Sequence, residues 1–443
     1  MKNDSKLITG DFFDFSEKAD LETAFGLPFS GISDRYQSNY AMYVCDGKIV
    51  EMGREKDMKQ KYPQASLESH AGKLIMPGFV DIHAHYPQSE MLASFGESLL
   101  QWLEKFTFPT ESKFSDRNYA DRISKFFFNQ LLKNGTTSAA VFATSSQEST
   151  EAFFEEALNY NMAVAGGQVF MDRHAPRELL VSAKDACAQT ERLIKNWHSR
   201  GRIQYALTPR FAPSCTDEML RGVADLKTDH PDMLIQTHIS ENRDEIKWVT
   251  ELYPDCHSYA AVYDQFDLLG PKTLLAHGIH LSDEEWNLIS SKEAVIAHCP
   301  TSNFFLGSGL FRLDYALQRG VGIGIGTDVG GGTSFSMLQT LQDAYKVSAM
   351  NGTPMNPLCG YYLSTLGGAR GLGLDHSVGN FESGKFADFI VVDLQCTELM
   401  ALRCDRAESI SEKLFALMML GDDRAIEATY IAGNKVWNKS TTA

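Results

Sequence analysis

Several features are scarce or missing in this sequence, and each absence narrows what the chain can be. Its eight cysteines form no C-x-x-C pair and no dense short framework. That excludes a zinc ribbon and a disulfide scaffold, and fits reduced thiols. No stretch approaches the ~20 consecutive apolar residues that a membrane-spanning helix needs. The opening MKNDSKLITGDFFDF lacks the long apolar core of a secretory signal, so a cytoplasmic protein with no membrane partner is expected. Basic residues are the minority, 41 Lys and Arg against 57 Asp and Glu, for a net charge of −16. Nucleic acid is disfavoured as a partner, because phosphate binding needs clustered cations. Low-complexity tracts are absent too, and 43% hydrophobic with 22% charged residues is an ordinary globular composition. The length suggests roughly two to three domains, or a long barrel with an accessory domain.

What is present has two textures. Near the start, Met42–Cys45 and Lys48–Val50 flank Asp46-Gly47, a dipeptide favoured in tight hairpins. Near the end, Phe389–Val392, Ala428–Ile431 and Lys435–Trp437 read as further short strands, the last two joined at Ala432-Gly433-Asn434. The two termini are therefore expected to build one small β-sandwich domain from residues 1–74 and 385–443. Between them, eight short apolar runs alternate with helical stretches: Phe79–His85, Ser138–Ala143, Met162–Phe170, Ile203–Phe211, Leu234–Ser240, Thr273–His280, Ala294–Pro300 and Val321–Asp328. Helices are expected over 118–134 and over 182–199 with Ser182 as N-cap, and after Thr216, Glu241, Ser282 and Ser336. This is an α/β pattern and predicts a (β/α)8 barrel over 75–384, with its active site at the C-terminal strand ends.

Those strand ends carry the chemistry. His83 and His85 alternate, so one strand face presents both imidazoles. The fifth run ends in His238, the sixth in His277, and the eighth closes on Asp328. Converging neutral imidazoles make a zinc shell, and a facing carboxylate either joins it or takes a proton from its water. His277 either takes part directly or orients a neighbour. Glu241, three residues after His238, reads as a proton shuttle rather than a carboxylate serving only a helix dipole. His280 and His298 are read as hydrogen-bonded histidines outside the chemistry. The glycines from 320 to 326 alternate within a strand rather than form a dinucleotide turn, so no phosphate site is expected.

Taken in order, PGFVDIHAHYPQ at 77–88, LLQWLEKFTFPTE at 99–111, TPRF at 208–211, HISENRDE at 238–245, LAHG at 275–278, HCPTSN at 298–303 and GTDVGGG at 326–332 resemble the amidohydrolase superfamily, and within it the guanine deaminases. The resemblance spans nearly the whole chain. It implies one zinc ion per subunit, held by His83, His85, His238 and Asp328. The run Ile203–Phe211 has no lysine of the kind binuclear relatives carbamylate, which favours a single metal.

The resemblance further implies that Gln88 and Arg210 hydrogen-bond a purine while Phe211 lies against its face, and that Trp102 is a pocket wall. The implied reaction is hydrolytic deamination of guanine to xanthine and ammonia by a zinc-activated water. Glu241 would shuttle protons, Asp328 would accept the water proton and His277 would orient the nucleophile. A homodimer is implied as well. The alternatives are an amidohydrolase acting on another aminated heterocycle and an inactive scaffold on the same fold.

Overall fold

The computed structural model describes residues 5–18, 34–96 and 99–439. The chain divides into two compact units, one of residues 1–80, 129–138 and 336–443 and the other of 81–128 and 139–335.

The first unit contains a seven-stranded mixed sheet. Its order is Asn434–Asn438, Ile426–Ile431, Phe389–Val392, Ser66–Pro77, Ser5–Phe15, Asp34–Cys45 and Lys48–Arg54. Only Ser5–Phe15 and Ser66–Pro77 pair in parallel. Both termini thus contribute to one sheet, because the C-terminal strand Phe389–Val392 pairs with Ser66–Pro77. The expected hairpin at Asp46-Gly47 is present, with φ of 49° and 80° at its two turn residues, the left-handed pair that such a tight turn requires. Ile8, Phe12, Ile75, Phe389 and Tyr430 form its core, the last two rings stacked with centroids 4.2 Å apart.

Eight parallel strands in sequential order form a nearly closed barrel. They are Phe79–His85, Thr136–Phe142, Ala163–Gly167, Ile203–Pro209, Leu234–Ile239, Thr273–His277, Val295–His298 and Gly322–Ile325, with a short offshoot Val169–Phe170 beside the fourth. Each falls within or beside an apolar run expected from the sequence. Near-continuous burial along the strands reflects cover on both faces, the usual state of a parallel sheet. A Cβ at Gly326 would lie 2.8 Å from that of His83. The glycine therefore permits the end of the eighth strand to approach the first.

The connecting helices start where the caps predict. Ser182 accepts a hydrogen bond from Asp185 N at the head of Ala183–Trp197. Thr216 does the same for Asp217–Asp229, and Ser282 with Glu285 forms a capping box on Asp283–Ser291.

Candidate metal and active site

The strand-end residues singled out by the sequence converge. His83, His85 and His238 offer nitrogens within 4.8 Å of one another, as do the ligand atoms of His83, His277 and Asp328. Nε2 of His85 lies 3.1 Å from Nε2 of His238, and Asp328 Oδ1 lies 3.2 Å from His83 Nε2 and 3.4 Å from His85 Nε2. The backbone is strained to achieve this: His277 and Asp328 adopt φ of 76° and 50°. Such conformations cost about 1–3 kcal/mol each when held by a non-glycine residue, and concentrate at functional sites.

The protonation states follow from the partners. A carbonyl can only accept, so the 2.6 Å contact between His238 Nδ1 and Arg210 O places a proton on Nδ1 and leaves Nε2 with its lone pair. Asn303 Nδ2 lies 3.0 Å from His277 Nδ1, which makes that nitrogen the acceptor and puts the proton on Nε2. There it faces Glu241 Oε2 at 3.4 Å and Asp328 Oδ2 at 3.9 Å. Burial pushes His83 and His238 down to about 3, and His85 and His277 well below the usual histidine range. All four imidazoles are neutral at physiological pH.

This donor set fits a zinc ion. Neutral imidazole nitrogens and a carboxylate are its ordinary ligands. His83 Nε2 is buried and makes no hydrogen bond among the described residues, a polar atom that a metal would satisfy.

Glu241 lies beside this cluster, 4% exposed. Burial, then Asp328 and Glu245, raise its carboxyl well above the usual range, while Ser308 Oγ donates to Oε1 at 2.8 Å. It does not cap the following helix: Asn242 and Glu245 form the capping box of Arg243–Leu252, so Glu241 is left for other work.

A cavity opens onto these groups. Its lining includes Gln88, Trp102, Arg210, Phe211 and Leu306 beside His85, His238, Glu241, His277 and Asp328. The substrate-contact candidates therefore share one pocket with the metal-ligand candidates.

A family model described as the amidohydrolase family matches residues 74–436. The chain belongs to the amidohydrolase family. It is 45% identical over 436 residues to a guanine deaminase of Escherichia coli, covering 98% of each chain. A solved structure of E. coli guanine deaminase superposes with a TM-score of 0.93 at 44% identity, covering 98% of this chain and 100% of that one. A guanine deaminase from C. acetobutylicum, solved with guanine in its active site, gives a TM-score of 0.88 at 31% identity over 98% of this chain and 100% of the other.

Sequence reasoning missed several residues of this amidohydrolase site. Phe142, at the second strand end, packs its ring 4.6 Å from that of His85 and 4.8 Å from that of His238, helping to dry the cluster. Asn303 and Ser308 follow the seventh strand and bond His277 and Glu241 as described above; the motif HCPTSN was the only signal for the first. Glu111 is buried against Gln88 and Arg210. One expectation is corrected. His280 does hydrogen-bond, Nε2 to Ser308 O at 2.8 Å, but neither ring nitrogen of His298 has a partner among the described residues. His298 instead stacks on Phe311 at 4.5 Å, held as an apolar ring.

Proposed function

We propose that this chain hydrolyses guanine to xanthine and ammonia. The observation that carries the reading is the single pocket in which Glu241, the histidine and aspartate cluster, Gln88, Arg210 and Phe211 meet. The names of its relatives, and the guanine bound in the C. acetobutylicum protein, supply the substrate. His83, His85, His238 and Asp328 would hold one zinc ion per chain. When bound, it would lower the pKa of a water from about 15.7 toward about 7.

The chain's own groups then have distinct tasks. His277 Nε2–H orients the attacking water, and Asp328 takes one of its protons. Glu241, whose burial favours the protonated carboxyl, delivers a proton to the ring nitrogen next to C2 and then carries the water's proton to the departing amine. The water oxygen becomes the C2 carbonyl and the C2–N bond breaks; Glu241's proton ends on the ring nitrogen, one water proton leaves with the ammonia, and the proton taken by Asp328 returns to Glu241, so the net transfer is of the two water protons. Arg210 and Gln88 hold the polar edge of the purine, and Phe211 covers its face.

Residues 75–384 are read as the catalytic barrel and 1–74 with 385–443 as its accessory β domain, with strand Ser66–Pro77 carrying the accessory sheet three residues past that boundary. A cytoplasmic homodimer completes the reading: the compartment is supported by eight free cysteines, and the dimer by family resemblance. No helix among the described residues is long and apolar enough to cross a membrane. The test follows ultraviolet absorbance of the metal-analysed protein with guanine, adenine, cytosine and other aminated heterocycles. Guanine should be turned over fastest; equal or faster turnover of another compound would overturn the assignment.

A further inference from the structure

The segment from Leu99 to Glu111 is helical but irregular: an α turn, a π turn over Leu103–Thr107, then Phe108–Glu111. Pro109 explains the wide turn, since it has no N–H to give to the carbonyl four residues back. The segment ends on Glu111, 1% exposed, whose two oxygens are both engaged. Oε1 accepts from Gln88 Nε2 at 2.9 Å and Oε2 accepts from Arg210 Nη1 at 2.6 Å. The ring of Phe108, one turn earlier, lies 5.5 Å from the Arg210 guanidinium carbon.

We infer that Glu111 is a positioning residue that sets the orientation of the Gln88 amide and cancels the charge of Arg210, so that the pocket reads the edge of an uncharged heterocycle. The inference rests on the function proposed above and deepens it. A carboxylate can only accept, so it fixes which end of the Gln88 amide faces it: Nε2 must point to Glu111 and Oε1 away. The other end is held by shape. Gly330 has φ of 121°, and a Cβ there would lie 1.9 Å from Gln88 Oε1, so the amide oxygen rests against bare backbone.

The charge argument is independent of the amide. An unpaired guanidinium buried in this pocket would favour ligands bearing carboxylate or phosphate. Paired to Glu111, Arg210 keeps free N–H donors but adds no net charge. Beside it, Gln88 offers one acceptor and one N–H. That combination matches a neutral ring with a carbonyl adjacent to an N–H, and disfavours anionic ligands.

The test uses the zinc-loaded enzyme and compares wild type with Glu111→Gln, alone and in a Gln88→Met background. The variant's amide can still accept from Arg210 through its oxygen, but its NH2 end faces Gln88 and drives that amide to turn over. The KM for guanine should rise about tenfold, as expected for one lost directional hydrogen bond. Turnover at saturation should stay within about threefold and zinc content should be unchanged, because the uniform binding contact alone is altered. In the Gln88→Met background the same Glu111→Gln change should cost clearly less in kcat/KM than it does beside Gln88, the remainder being the uncancelled charge of Arg210. An unchanged KM, a loss of kcat and zinc together, or a full additional loss in the Gln88→Met background would each overturn the inference while wild-type guanine turnover upholds the function. Absence of guanine turnover by the wild type would overturn the function and this inference with it.

Discussion

Asp81 and Thr327 tie the first and eighth strands of the barrel together through a side chain. Asp81 Oδ1 accepts from Thr327 N at 3.0 Å and from His83 N at 3.2 Å, and Oδ2 accepts from the Thr327 hydroxyl. Backbone bonds run alongside, from Asp328 N to His83 O at 2.8 Å and from His85 N to Val329 O at 3.2 Å. The carboxylate thus fixes the relative register of the residues that flank the histidine pair on one side and Asp328 on the other.

Replacing Asp81 with alanine should therefore act on stability. It leaves buried donors without partners at a cost of about 1–3 kcal/mol each, so Asp81→Ala should lose at least about 2 kcal/mol. Asp81→Asn should stay within about 1 kcal/mol of wild type, because its oxygen still accepts both N–H groups and the Thr327 hydroxyl can turn to accept from the amide. Urea unfolding of the zinc-saturated proteins measures both. An unchanged midpoint for Asp81→Ala would show that the bridge contributes nothing to stability.

Glu241 is assigned proton transfer and no part in holding the metal. Glu241→Gln keeps shape and the acceptor for Ser308 but cannot move a proton, so turnover should fall by about 10²–10⁴ with zinc content intact. Steady-state kinetics beside metal analysis decides: near-normal turnover, or loss of zinc, would remove the assigned role.

How much of the fold and site is legible in the sequence depends on the range of the signal. The eight strands can be read because apolar runs are local, and His83 with His85 because strand periodicity puts alternate residues on one face. Gln88, Arg210 and Phe211 are reached through family resemblance, not through spacing. The carboxylate that holds two of them is not reached at all. Glu111 meets Arg210 across 99 positions, on a segment whose π turn spoils any simple face-counting. Nor does anything local announce that His277 and Asp328 sit in left-handed backbone, where glycine is the ordinary choice. The misreading of His298 has the same origin: an imidazole in an apolar strand looks like a polar group seeking partners, and only packing reveals a ring stacked on Phe311.

Metal binding should be visible as stability. A ligand present at 100 times its Kd stabilises the native state by about 2.7 kcal/mol. Wild type should gain on this scale from zinc, and His238→Ala, lacking the lone pair that its Arg210 contact leaves at Nε2, should gain far less. Thermal melts with and without a chelator give the comparison. Equal gains in the two proteins would exclude His238 from the metal shell.

His298 provides a pH dependence that can be isolated. Burial lowers it from 6.5 to about 3, and no hydrogen bond within the described residues offsets that burial. The folded state therefore keeps this ring neutral where the unfolded state protonates it. The sign is fixed by that difference: above pH 6.5 neither state binds the proton and the group adds no slope, whereas below it the unfolded state binds more protons and stability falls. The slope amounts to about 1.4 kcal/mol per pH unit down to the folded value. A His298→Phe variant, still able to stack on Phe311, should lack this dependence. Its unfolding free energy relative to wild type should rise by roughly 1 kcal/mol between about pH 6.5 and about 5.5, measured by urea titration at each pH. A difference that stays flat across that interval would mean that the folded state protonates His298 as readily as the unfolded one, and would overturn the reading of a neutral, apolar ring.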